Sequence, residues 1–232
     1  MCFRQLFDEA SSTYTYLLGD MITREAVLID PVQAHNDMYL SLLREQGLQL
    51  KYVLETHVHA DHITGASALR TATGALAAIG AHAGASCADI QLESNNVLTF
   101  GNEHIKALAT PGHTTGCTSY LWRDRLFTGD ALLIGGCGRT DFQGGDAGTL
   151  YDSITRQIWP LADEMLIYPG HDYHHKHVSS VAQERETNPR LSGKSRDEFI
   201  AIMNQLDLPM PRLITLAVPV NQGCGKELQH AA

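Results

Sequence analysis

Seven residues of this chain have the chemistry of metal ligands and a spacing that chance rarely produces. In THVHADHITG, residues 56–65, His57, His59, Asp61 and His62 fall together. His113 follows in TPGHTTG, Asp130 in RLFTGD and His171 in MLIYPGH. Imidazole nitrogens and carboxylate oxygens together suit zinc, iron or manganese. A lone histidine is usually structural or solvated, and the chain has 12. His174, His175 and His177, in the polar run HDYHHKH, read as solvated, and His35, His82, His104 and His230 have no setting that suggests a ligand. The HxHxDH cluster with three further candidates differs, because clustering of this kind is what a metal motif requires. Counting ligands alone yields two ions. His57, His59 and His113 would hold one, Asp61, His62 and His171 the other, and Asp130 would bridge them, as in a two-metal hydrolase.

These candidates fall where apolar strands give way to loops. LKYVLET (50–56) reads as a buried strand running into His57, and residues two apart on extended backbone point to one side. HIKALAT (104–110) precedes His113, RLFTGD (125–130) ends on Asp130, and MLIYPG (165–170) leads to His171. Further strands are expected at CFRQLF, STYTYLL, AVLID, ALAAIG, VLTF and TSYLW, with turns at Gly19-Asp20, Asn95-Asn96 and Arg123-Asp124. Apolar spacing and stop signals predict helices over 36–47, ended by Gly47, over 62–74, capped by Asp61, over 149–159, ended by Pro160, and over 196–206. A glycine-dense loop spans 135–148, and a proline-punctuated tail follows 206. Strands with interspersed helices imply layered α/β architecture, sheets packed together with helices outside.

A chain of 232 residues can bury one sizeable core. Its formal net charge of -9 disfavours a nucleic-acid partner and makes any anionic substrate depend on locally placed Arg or Lys. No apolar stretch approaches membrane-spanning length, so no membrane association is expected. MCFRQLFDEA reads as neither a secretory signal nor a transit peptide. The five cysteines, Cys2, Cys87, Cys117, Cys137 and Cys224, form no CxxC pair and predict free thiols in a reducing compartment; a cytoplasmic protein is expected.

HxHxDH, PGHT, TGD and PGH together resemble the metallo-β-lactamase superfamily, over residues from about 12 to 175. The resemblance implies an αβ/βα sandwich, two mixed sheets flanked by helices with the metal at one edge. It implies one domain over 1–232, with a short C-terminal extension from about residue 176. Within the superfamily, THVHADHITG, PGHTTGCTSY, LFTGDALLIGGCGRTDFQGGD, IYPGHDY, RETNPRL and AVPVNQGCG are similar to the persulfide dioxygenase family. That similarity implies one non-haem Fe(II) per chain on His57, His113 and Asp130, with His59, Asp61, His62 and His171 as polar supports. Asp30 would join these supports or cap the turn after AVLID. Two His and one carboxylate leave positions open on octahedral iron for a sulfur ligand and for dioxygen. The implied reaction oxidises glutathione persulfide with O2 and water to sulfite and glutathione. Arg139 in GCGRTDF and Arg212 in the tail are then candidates for the substrate carboxylates, Asp141 for its ammonium, and Tyr173 for a catalytic or substrate contact near the metal. Cys224 lies in a segment resembling the family's C-terminal turn, either near the pocket or as a buried inert thiol. A homodimer accords with family habit.

Two rival readings carry weight. Hydroxyacylglutathione hydrolases of the glyoxalase II type resemble this chain in fold and take a glutathione-linked substrate at a dinuclear zinc or mixed-metal site. They usually append a sizeable helical domain, whereas 61 residues follow His171 here, and Cys117 stands where their pattern often has histidine. A metal-binding module without turnover is the other, and the complete ligand set speaks against it.

Overall fold

The computed structural model describes residues 1–226. Two six-stranded sheets are each built from strands in chain order. The first holds β1 (Cys2–Asp8), β2 (Thr13–Gly19), β3 (Glu25–Ile29), β4 (Gln49–Leu54), β5 (Leu76–Gly80) and β6 (Ile90–Leu92). The second holds β7 (Val97–Phe100), β8 (Glu103–Ala109), β9 (Thr118–Trp122), β10 (Arg125–Gly129), β11 (Leu166–Pro169) and β12 (Ser179–Ser180). β1 and β2 pair antiparallel with Cys2 opposite Gly19, and β2 pairs antiparallel with β3. From β3 to β6 the pairing is parallel, which requires crossovers. α1 (Asn36–Gln46) and α2 (Ala66–Thr73) supply two of them. In the second sheet β10 and β11 are parallel, joined through α3 (Ala147–Ser153) and its π-helical continuation Ile154–Ile158.

Burial follows from this layering. Tyr14, Tyr16, Val27, Ile29 and Leu54 of the first sheet meet Phe100, Ile105, Tyr120, Trp122 and Phe127 of the second in one apolar layer. Leu43 and Leu69 lay α1 and α2 on the outer face of the first sheet, against Leu28 and Val53. On the other side Leu150 and Ile154 cover Leu126 and Ile167, together with Phe199 and Met203 of α5 (Arg196–Asn204). The result is the expected α/β sandwich, two mixed sheets flanked by helices. Residues 177–206 are less an extension than part of this body, since Val181, Leu191, Phe199 and Met203 complete the second outer core.

Four expectations need correction. α2 starts at Ala66, not near residue 62, and Asp61 does not cap it, because its carboxylate is engaged by His62, His171 and Thr13. α4 (Val181–Thr187) and α6 (Ile214–Gln222) were not expected. α6 contains Pro219 and four β-branched residues in ITLAVPV, features that argue against a helix locally. Finally, Cys87 and Cys224 form a disulfide across 137 residues, while Cys2, Cys117 and Cys137 are buried free thiols as expected. Among the described residues no helix is long and apolar enough to cross a membrane. His230 lies outside the described residues.

Candidate metal centre

The ends of four strands meet at one edge of the sandwich. His57 follows β4, His113 follows β8, Asp130 follows β10 and His171 follows β11, so both sheets contribute. Two glycines permit the approach. Gly129 has φ +51°, and a Cβ there would sit 2.5 Å from Thr56 Oγ1. A Cβ on Gly138 would fall 2.8 Å from the His113 ring. All seven predicted ligands or supports except Asp61 are buried.

Hydrogen bonds fix which atom each ligand offers. The Thr56 hydroxyl donates to Asp30 Oδ2 (2.7 Å), since a carboxylate accepts only. Its oxygen therefore accepts from His57 Nδ1–H (3.0 Å), which leaves the lone pair on His57 Nε2. His113 Nδ1–H donates to the Arg139 carbonyl (2.6 Å), leaving His113 Nε2 for a ligand. Asp130 Oδ1 accepts from His171 Nδ1–H (2.6 Å), and Oδ2 lies 3.6 Å from His113 Nε2. One ligand atom each from His57, His113 and Asp130 fall within 4.8 Å of one another. Burial pushes the His57 imidazole well below its usual range, so it is neutral. Burial would raise the Asp130 carboxyl, yet His171 and His113 hold it below the carboxylate range. The Nε2 atoms of His57 and His113 and a carboxylate oxygen of Asp130 are a donor set that fits a metal cation.

The remaining four are turned onto one another. His171 faces Asp130 Oδ1 through Nδ1 (2.6 Å) and Asp61 Oδ2 through Nε2 (3.1 Å). Burial opposes its charge, but these two carboxylates raise it well above the usual histidine range. Both of its ring nitrogens thus face carboxylate oxygens. Asp61 Oδ2 also accepts from His62 Nδ1–H (2.9 Å) and from the Thr13 hydroxyl (3.0 Å). His59 Nε2 lies 3.1 Å from Asp30 Oδ1 and 3.5 Å from Glu55 Oε2, while its ring centre stays 4.1 Å from that of His57. His59, Asp61 and His62 do bring one atom each within 4.8 Å, and His62 Nε2 has no hydrogen-bond partner. Asp30 itself accepts from the Thr56 N–H (2.7 Å) at φ +51°, a strained conformation of the sort that collects at functional sites. Its carboxylate faces Thr56 and His59 and does not cap the turn after β3.

Comparison with known proteins reaches the same place. The family model described as the metallo-beta-lactamase superfamily matches residues 9–171. The persulfide dioxygenase ETHE1, mitochondrial, of Mus musculus is 49% identical over 226 residues, 96% of this chain and 88% of that protein. The chain belongs to the persulfide dioxygenase family. The crystal structure of ETHE1 from Myxococcus xanthus superposes with a TM-score of 0.96 at 55% identity, covering 97% of this chain and all of that one. More distant is a hydroxyacylglutathione hydrolase-like protein of Mus musculus, 34% identical over 188 residues, 78% of this chain and 65% of that protein.

Seen as a persulfide dioxygenase, the chain assigns its later motifs to one cavity of about 620 Å³ that opens onto His57, His113 and Asp130. Arg139, Arg212 and Tyr173 line it as expected. Arg139, however, is saturated. Its guanidinium pairs with Asp141 (2.6 and 2.5 Å), donates to the carbonyls of Pro209 (2.7 Å) and Leu208 (3.1 Å), and lies 4.9 Å from the Phe142 ring centre. Arg139 and Asp141 thus brace the tail over the cavity and leave each other little capacity for substrate. Tyr173 is 64% exposed, its ring stacked on His171 at 5.9 Å. Arg190 of RETNPRL also lines the cavity, and the sequence reading missed it. It donates to the Cys137 carbonyl (2.7 Å), and among the described residues neither Arg190 nor Arg212 has an acidic partner. Cys224 is corrected: it does not line the cavity but packs in the outer core beside α1 and α2, disulfide-bonded to Cys87. Cys117 is a buried thiol pushed up to about 12 by burial, hence inert.

Proposed function

We propose that the protein oxidises glutathione persulfide with O2 and water to sulfite and glutathione, using one Fe(II) held by His57, His113 and Asp130. The observation that carries this reading is the closure of His171 between Asp130 and Asp61, which engages two carboxylate oxygens and both imidazole nitrogens that a second ion would need. Kinship with the ETHE1 proteins supports the sulfur substrate. When bound, Fe(II) supplies open coordination positions where a sulfur anion and dioxygen meet.

The protein's own contribution is positioning. His57 and His113 present Nε2 because Thr56 and the Arg139 carbonyl occupy their other nitrogens. Two neutral imidazoles and one carboxylate leave a net single positive charge on a divalent ion, so a persulfide anion is neutralised there. The apolar stretch Leu208, Pro209 and Met210 walls the cavity and limits water. Arg212 and Arg190 carry the free positive charge facing the glutathione carboxylates, Tyr173 offers a hydroxyl near His171, and Arg139 with Asp141 shapes the wall.

The proposed compartment is the cytoplasm, where the Cys87–Cys224 bond is exposed to thiol reduction, and the proposed assembly is a homodimer. The test is metal per chain together with O2 uptake on glutathione persulfide. About one iron per chain with sulfite release supports the proposal. Two metals per chain with hydrolysis of S-lactoylglutathione and no O2 uptake would overturn it in favour of the glyoxalase II reading, and metal without either activity would favour the binding module.

A further inference from the structure

The metal-bearing loop between His57 and Thr64 has no regular structure, so its backbone must be held from outside. Much of that holding comes from one residue near the chain's far end. Asn221, in the last turn of α6, is 5% exposed. Its amide nitrogen donates to the carbonyls of His59 (2.9 Å) and His62 (2.8 Å). Its amide oxygen accepts from the Thr64 N–H (2.9 Å). Both N–H donors and one acceptor of a single buried side chain are thus spent on the histidine loop. Val218, one turn earlier, packs against Val58, Ile79 and Ala85.

What seats α6 is the chain just after it. Cys224 is bonded to Cys87 in the β5–β6 connection, and its carbonyl accepts from the Ser67 N–H (2.9 Å) at the start of α2. A Cβ on Gly225 would fall 2.2 Å from the Thr64 carbonyl, so the chain lies directly on the loop. The disulfide lies three residues beyond Asn221 and joins the same two elements that Val218 bridges.

We propose that Asn221 is a positioning residue for the metal centre and that the Cys87–Cys224 disulfide is a thiol-reducible latch on it. Reduction by a dithiol breaks the Cys87–Cys224 bond and forms a disulfide within the reductant, and two hydrogens pass to the cysteine sulfurs. The freed α6 terminus then holds Asn221 less firmly, the carbonyls of His59 and His62 lose their donor part of the time, and the loop carrying His57 opens more often. The inference rests on the proposed metal site for its consequence, but not for its structural content.

The experiment uses the full chain in four forms: wild type, wild type with dithiothreitol, Cys87→Ser and Asn221→Ala. Amide hydrogen exchange is read in the metal-free protein, and release of Fe(II) to a chelator in the loaded protein. Asn221→Ala should raise exchange across residues 57–65 by about tenfold, with β8 and β9 unchanged, and speed Fe(II) release by a similar factor. Cys87→Ser and dithiothreitol-treated wild type should match each other at a smaller rise of about threefold, with no further effect of dithiothreitol on Cys87→Ser. Unchanged exchange in Asn221→Ala would overturn the positioning role. Equal effects of dithiothreitol on wild type and Cys87→Ser, or none on either, would overturn the latch. Should Asn221→Ala not fold, the milder Asn221→Ser, which keeps one hydroxyl donor, is read the same way. A wild type that retains no metal would refute the metal reading alone, since the exchange data still decide this one.

Discussion

Thr56→Val isolates the contact between a metal ligand and its support. Thr56 is 2% exposed, and its hydroxyl links His57 Nδ1 (3.0 Å) to Asp30 Oδ2 (2.7 Å). Valine fills nearly the same volume but has neither donor nor acceptor. Asp30 keeps the Thr56 N–H (2.7 Å) and the nearby His59 (3.1 Å), so one lone pair of a buried carboxylate is orphaned. The cost expected for that is about 1–3 kcal/mol, lowering the melting temperature of the metal-free protein by ~2–4 °C per kcal/mol for a chain of this size. His57 loses the acceptor that fixes its tautomer, so Fe(II) affinity should fall by ~10–100-fold. Circular dichroism melts of the apo form measure the first quantity, and anaerobic chelator competition the second. Thr56→Ser should restore both. If Thr56→Val bound Fe(II) within about threefold of wild type while showing the expected loss of stability, the relay would be structural and not a metal-orienting device.

Asp130→Ala should abolish both bound iron and O2 uptake, because Oδ2 is the only anionic ligand of the proposed set; metal analysis with an oxygen electrode decides it. His171→Ala should keep most of the single iron while stability falls, since the buried Asp130 and the partly buried Asp61 lose their shared partner; iron content and a melt report each. Arg212→Ala and Arg190→Ala should raise KM for glutathione persulfide several-fold with a smaller change in kcat, measured by steady-state O2 uptake. Arg139→Lys should fail to replace arginine, because an ammonium cannot at once pair bidentately with Asp141 and reach the Leu208 and Pro209 carbonyls; limited proteolysis near residue 208 is expected to accelerate.

Ligand positions were legible because each is a polar residue directly after an apolar strand, and strand ends of stacked sheets must share an edge. His57, His113, Asp130 and His171 were found that way. The number of ions was not legible from spacing. It depends on which partners the ring nitrogens of His171 and His59 face, which many sequences with the same spacing could place otherwise. Arg139 with Asp141, opposite charges two apart in a loop, carry a readable signal of self-pairing. Arg190 and Asn221 had no local signal at all. Each acts on a segment far away in the chain, Arg190 on Cys137 and Asn221 on His59, and the same distance hid the Cys87–Cys224 bond. α6 was missed because tertiary packing of Ala217 and Val220 outweighs Pro219 and its β-branched neighbours.

The strict chain order of the strands bears on how the molecule is made. The first sheet is complete at Leu92, and every strand of it pairs with one already synthesised. His57 therefore follows a strand of the first sheet, whereas His113 and Asp130 follow strands of the second. The ligand set closes only when the second sheet, ending at Ser180, docks across Tyr16 and Phe127, and the loop is pinned only when Asn221 arrives. The three candidate ligands are drawn from both sheets, so the set is complete only in the docked sandwich and not in either sheet alone.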